Sequence, residues 1–270
     1  VRTPRFYTDN INYLLSRGVA QNGSFDVVAT GGSGTSATRG IQTGTEAELF
    51  DMNPLNKVDF DTSGDTNSQV LITLNMQTLH KKSFVAILNH NLASASGKIR
   101  VFCGNAADDV TSVDGTAADT ADIDWSGYTL TQVVNADAIT HTTGISGTYN
   151  NKSIVIEPAT DGSTIFRFPE VALQYWGIQF EGILSDSSAT HHDGTWDTST
   201  DLFIGCILVG EYYDIPHSPD LSVKRSIIFD KVKVLESVGG QRYSNMSSHG
   251  RTATTTSKSP FTTGSKNYDT

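Results

Sequence analysis

Between about residue 56 and residue 235, apolar positions come in short runs rich in Val, Ile and aromatic residues: Gln69–Leu74, Ser83–Leu88, Lys98–Cys103, Lys152–Glu157, Thr164–Phe168, Tyr175–Phe180, Leu202–Val209 and Ser226–Leu235. Gly, Asn, Asp, Ser or Pro separates most of them, which predicts strands joined by turns. Polar and apolar residues alternate in Lys152–Glu157 and again over Ile228–Leu235. In the second run Ile228, Lys231 and Lys233 do not share a face, which predicts a bulge or an edge position. No helical periodicity of about ten residues or more occurs in this region. About eight strands without a fixed repeat predict an all-β fold, a two-sheet sandwich of jelly-roll type, with a closed barrel as its competitor. The longest apolar run, Leu202–Gly210, falls far short of the ~20 residues that span a bilayer and reads as a buried strand.

The two ends differ from this middle. Residues 1–18 read as an arm with a short helix: Thr8-Asp9-Asn10 offers a capping oxygen, Ile11, Leu14 and Leu15 share one face, and Gly18 can stop the turn. So short a helix is marginal alone, so it must dock on its own domain or on a neighbouring subunit. A Gly/Ser/Thr-rich connector follows, including Thr30-Gly-Gly-Ser-Gly-Thr-Ser, without the Lys-Ser/Thr and helix of a phosphate cradle. The stretch from Val238 to Thr270 is Ser/Thr/Gly-rich and nearly free of aliphatic residues. It cannot bury enough apolar surface to fold autonomously, and a neighbouring molecule is expected to hold it. The expected organisation is an N-terminal arm over 1–55, a sandwich core over 56–235, and a C-terminal arm, or the start of a further region, over 236–270. Val1 at the start and Tyr268-Asp-Thr at the end are compatible with a trimmed start and a longer parent chain.

Composition narrows the chemistry. The 270 residues carry 19 Lys and Arg against 29 Asp and Glu, a net charge of −10, which argues against nucleic acid as the main partner. Cys103 and Cys206 lie far apart in strand-like runs; a disulfide is open to them, but two buried thiols fit better. Asp59, Asp61, Ser63, Gly64 and Asp65 follow the first half of a calcium-binding EF-hand loop, yet the twelfth position, which should be Glu, is Val70. A turn whose carboxylates cap backbone amides is favoured over an irregular Ca2+ site. Asp108, Asp109, Asp114, Asp119, Asp122 and Asp124 form an acidic, solvated loop. Trp125 and Tyr128 in that loop, with Trp196 beyond His191-His192-Asp193, are the aromatic residues that could stack on sugar rings; the competing reading has them closing over the sandwich. His80, His90 and His141 are scattered, and no Gly-x-Ser-x-Gly elbow or carboxylate pair accompanies them. The residues point away from an enzyme and require no cofactor.

Two segments carry a resemblance. Ser83–Phe102, with a strand, an Asn89-His90-Asn91-Leu92 turn, a small-residue loop and a second strand, resembles β-sandwich modules of tailed-bacteriophage structural proteins. Such modules have a discoidin-like, galactose-binding type fold. Phe203–Leu221, an apolar run ending in Gly210-Glu211-Tyr212 and a Pro-rich exit at Pro216 and Pro219, is similar to their late strand. The two cover about forty residues and describe a fold rather than an active site. The resemblance implies a virion component of the tail, baseplate or tail tip, a symmetric oligomer in contact with other tail proteins and helping to attach fibres or contact the host. Phe6, Tyr7, Leu14, Leu15 and Phe261 are then the expected subunit-interface residues, whose burial would offset the cost of ordering the arms. A carbohydrate-binding module recognising a host surface glycan is the alternative, and a glycan hydrolase comes third.

Overall fold

The computed structural model describes residues 5–11, 25–28, 37–66, 68–76, 81–110, 123–136, 139–140, 151–183 and 194–214, and the backbone of four strands between 225 and 255. The chain forms two compact units, Tyr7–Tyr212 and a second made of Val1–Phe6 with Tyr213–Thr270.

The larger unit is built on two mainly antiparallel sheets. In the first, strands run in the order β4 (Ile41–Thr43), β5 (Val58–Phe60), β13 (Leu202–Asp214), β7 (Lys82–His90), β11 (Gly162–Val171) and β9 (Thr131–Val134), and β1 (Arg5–Asp9) also pairs with β13. In the second, the order is β10 (Ile154–Ile156), β8 (Gly97–Gly104), β12 (Tyr175–Gly182), β6 (Ser68–Asn75) and β2 (Phe25–Val28), while the two-residue β3 (Ala37–Thr38) pairs with β6 in parallel. Two separate sheets make a sandwich rather than a closed barrel. Alternate residues point inward: Val70, Ile72 and Leu74 of β6, Ile99, Val101 and Cys103 of β8, and Trp176, Ile178 and Phe180 of β12 meet Val85 and Ile87 of β7, Phe166 and Phe168 of β11, and Ile207 and Val209 of β13 in one core. At about 25 cal/mol per Å2 of apolar surface removed from water, these side chains are the main source of stability.

The alternation breaks once in a way that matters. Ile204 and Ile207, three residues apart in β13, both belong to the core. Opposite them Asn89 has φ 53, a left-handed conformation that Asn tolerates better than most residues. Gly205 lies between, and the Pro54 carbonyl occupies the place where a Cβ would sit.

All eight expected runs contain strands, with differences at the ends of the chain. The run at Ser226–Leu235 is two strands, β14 (Arg225–Ile228) and β15 (Val232–Glu236), and both belong to the second unit rather than to the sandwich. In the N-terminal region, β2, β3 and β4 join the two sheets, and the 3-10 turn Glu46–Phe50 buries Leu49 and Phe50. The described residues 25–28 and 37–50 therefore pack into the sandwich. Their strands, of two to four residues, are too short to show the patterning that marks the middle of the chain. The chain turns helical at Asn10 and Ile11, and Asp9 Oδ1 accepts the Ile11 N–H (3.4 Å); the rest of the expected helix, with Leu14 and Leu15, lies outside the described residues. Among the described residues no helix is long and apolar enough to cross a membrane.

In the second unit β14 pairs with β17 (Thr252–Thr255), and β15 pairs with β16 (Arg242–Met246), both antiparallel. The pairs are nested. The two ladders differ in register by two residues.

Candidate functional site

On the face of the second sheet opposite the core, polar side chains form a continuous row. Strand alternation places Lys98 and Arg100 of β8, Gln179 and Glu181 of β12 and Gln69 of β6 there, and antiparallel register sets Glu181 opposite both Lys98 and Gln69. Glu181 Oε1 accepts from Arg100 Nε (3.1 Å) and Nη2 (2.6 Å), and Lys98 Nζ lies 3.3 Å from it. Arg100 Nη1 donates to Ser153 Oγ (2.6 Å) beside β10. Gln179 Nε2 donates to Glu181 Oε2 (2.9 Å) and to Gln69 Oε1 (2.6 Å). All six side chains are buried. The row ties four strands together; charges removed from water persist only when paired in this way. Its neighbours on the same face, Leu71, Phe102 and Val110, form a small apolar cluster.

A second buried polar group sits where β7 meets β11. His90 Nδ1 accepts the Leu92 N–H (3.2 Å), so the proton lies on Nε2, which donates to Thr164 Oγ1 (2.8 Å), and Thr164 passes a hydrogen bond to the Asn135 carbonyl (3.2 Å). Burial pushes the imidazole pKa down to about 4. The neighbouring amides act over long range: Asn89 Nδ2 reaches the Pro54 carbonyl, while Asn91 joins β13, donating to Asp201 O (2.7 Å) and accepting from Phe203 N–H (2.7 Å). The Asn-His-Asn turn is thus a clamp on another strand rather than a self-contained turn.

The carboxylates of the EF-hand-like segment do not converge. Asp65 is held by Arg39, Asp59 lies within β5, and Asp61 is exposed. The turn is capped instead from a distant residue: Asp201 Oδ1 accepts the N–H groups of Thr62 (3.0 Å) and Ser63 (2.8 Å). Burial pushes the Asp201 carboxyl up, but those hydrogen bonds from Ser63 and Thr62 outweigh it and hold it below the usual range. Among the described residues no three His, Cys, Asp or Glu side chains are grouped to hold a metal ion.

The aromatic residues considered for glycan stacking are divided. Trp125 and Trp196 are core residues with no face left for a sugar. Trp125 packs edge-on against Phe168, 5.3 Å between centroids, and the Trp196 indole N–H donates to the Ser68 carbonyl (2.9 Å). Tyr128 is half-buried beside Trp125. His80, His141, His191, His192 and Asp193 lie outside the described residues, as does Phe261. Cys103 and Cys206 are both buried thiols without a disulfide, one in each sheet; burial pushes the Cys206 thiol up to about 11.

The expected interface residues include one clear surface. Tyr7 of β1 lies edge-on to Phe84 (5.0 Å) and 6.2 Å from Tyr212, whose ring also carries the Arg167 guanidinium (4.7 Å). Phe6, next along β1, is 57% exposed. Gly210 of β13 makes this docking fit, because the Thr8 carbonyl occupies the place of a Cβ, and Asp9 Oδ1 accepts the Val209 N–H (3.1 Å). Among the described residues β1 pairs with no strand besides β13, so it forms an outer edge. Leu55, 83% exposed, and Met52 add apolar surface on the loop before β5.

Sequence reasoning missed the Lys98–Arg100–Glu181 row. The alternation of Lys98-Ile-Arg100-Val and of Gln179-Phe-Glu181 is present in the sequence, but alternating charge on a strand ordinarily denotes a solvent face. Only the register that brings the two strands together shows the charges to be partners. These features define a two-sheet β-sandwich braced by a buried ion cluster, with an aromatic edge strand. No protein-family model matches the chain, and no curated protein matches it.

Proposed function

We propose that the chain is a non-enzymatic structural protein of a bacteriophage virion, in the tail or tail tip. Its sandwich is of the jelly-roll, discoidin-like type, and it assembles into a symmetric oligomer through its terminal segments. One observation carries the assembly part: β1 is an outer strand that leaves Phe6 57% exposed. An unpaired edge with exposed apolar side chains is a template for another chain. The strands of the second unit support the same reading, since two-stranded ribbons are marginal in water unless something packs on them. The tail location rests on the resemblance of Ser83–Phe102 and Phe203–Leu221 to phage modules. Light scattering on the eluting protein tests assembly. A symmetric oligomer is expected, and Phe6→Asp should weaken its dissociation constant roughly tenfold or more, as loss of an aromatic interface anchor does, while leaving the Tm of the protomer within a few degrees. A chain monomeric at all concentrations would refute the reading. Immunogold labelling of a purified particle tests the tail location, which fails if the label lies elsewhere.

A further inference from the structure

The net charge of −10 conceals a separation that follows the two units. Residues 7–212 carry 9 Lys and Arg against 24 Asp and Glu, a net −15, whereas Val1–Phe6 with Tyr213–Thr270 carry 10 against 5, a net +5. Three basic residues of the second unit lie on its paired strands, Arg225 on β14, Lys233 on β15 and Arg242 on β16, and Lys224, Lys231 and Arg251 each immediately precede a strand in the sequence. In register only Glu236 stands opposite one of these, Arg242. On the sandwich, four of the nine cations are already committed to carboxylates, in the pairs Arg39–Asp65, Lys81–Glu170 and the Lys98 and Arg100 contacts with Glu181. Asp51, Asp61, Asp108, Asp124, Glu157 and Asp161 are exposed. Exposed carboxylates therefore mark one unit, and the basic excess belongs to the sequence of the other, on and beside its strands.

We infer that the basic ribbons of one copy dock on the acidic sandwich of a second copy, head to tail. Two unlike surfaces on the same chain make a heterologous contact, in which every protomer gives one surface and receives the other, and such contacts close into rings when the rotation allows. Opposite charge speeds the encounter and selects the partner. The inference rests on the assembly reading above and adds the partner surfaces and their dependence on salt.

The test uses the full-length protein at 0.1 and 1 M NaCl, between which the Debye length falls from about 10 Å to about 3 Å. The dissociation constant from light scattering or sedimentation should rise roughly tenfold or more across that range. The quadruple variant Lys224→Glu, Arg225→Glu, Lys231→Glu, Lys233→Glu should be monomeric at low salt, and the same four positions changed to Gln should fall between it and the parent. Circular dichroism and the sandwich's thermal transition confirm that both variants are folded. An oligomer indifferent to salt and to both variants would overturn this inference and leave the assembly reading standing, whereas a monomer under every condition would overturn both. A salt-dependent affinity for duplex DNA by a chain that remains monomeric would also overturn it, placing the basic strands on a nucleic acid instead.

Discussion

Lys98 and Arg100 bring two cations beneath the surface of β8, and Glu181 is the carboxylate both of them face. Removing it leaves charged groups without water and without a counter-charge, the costliest change a buried cluster can suffer. Glu181→Ala should lower the unfolding free energy by about 3–5 kcal/mol in urea titrations, more than a surface carboxylate change such as Asp61→Ala, expected within about 0.5 kcal/mol. His90 makes a pH-dependent counterpart. Its imidazole is held neutral at a pKa of about 4, against about 6.5 in the unfolded chain. Between those values the unfolded state binds the extra proton, so the contribution is complete above pH 6.5 and is lost as the pH falls towards 4, by about 3 kcal/mol in all. Protonation would put a second N–H where Nδ1 now accepts from Leu92. Urea midpoints at pH 7, 5.5 and 4.5 measure it; a flat profile over that range would refute the assignment. Neither residue was readable as a partner from the sequence, since Glu181 and Lys98 are 83 positions apart and meet only through strand register.

Among the elements, β1 depends on its partner for its place. Five residues, mostly exposed, have little intrinsic reason to be a strand, and the docking of Tyr7 on Phe84 and of Thr8 over Gly210 supplies it. Gly210→Ala should push β1 off β13, costing about 1–3 kcal/mol as overpacking does and opening the peptide after Arg5 to trypsin. Unchanged cleavage there would show that β1 does not need the close approach. The central strands are the opposite case. β6, β7, β8, β12 and β13 announce themselves by Val, Ile and aromatic content, because the face each turns to the core needs large apolar residues at alternate positions. The short outer strands β2, β3 and β4 give too few positions to show such a pattern, and their stretch of the sequence reads as connector.

At the scale of the whole molecule, the described residues between 7 and 212 enclose one large core and a small second cluster, which implies that the sandwich holds together without the rest of the chain. A chain ending after Asp214, the last residue of β13, should keep one cooperative thermal transition within about 5 °C of the parent; loss of cooperativity would show that the second unit completes the core. By itself the sequence determined the all-β class and the positions of the central strands, because burial between two sheets writes itself into local composition. It also carried the unequal distribution of charge. The tertiary structure alone decided which polar residues are partners, that Trp125 and Trp196 belong to the core instead of a binding surface, and that β2, β3 and β4 complete the sheets. Those outcomes depend on register and on contacts between residues far apart in the chain, where a side chain's environment is set by what another strand brings to it.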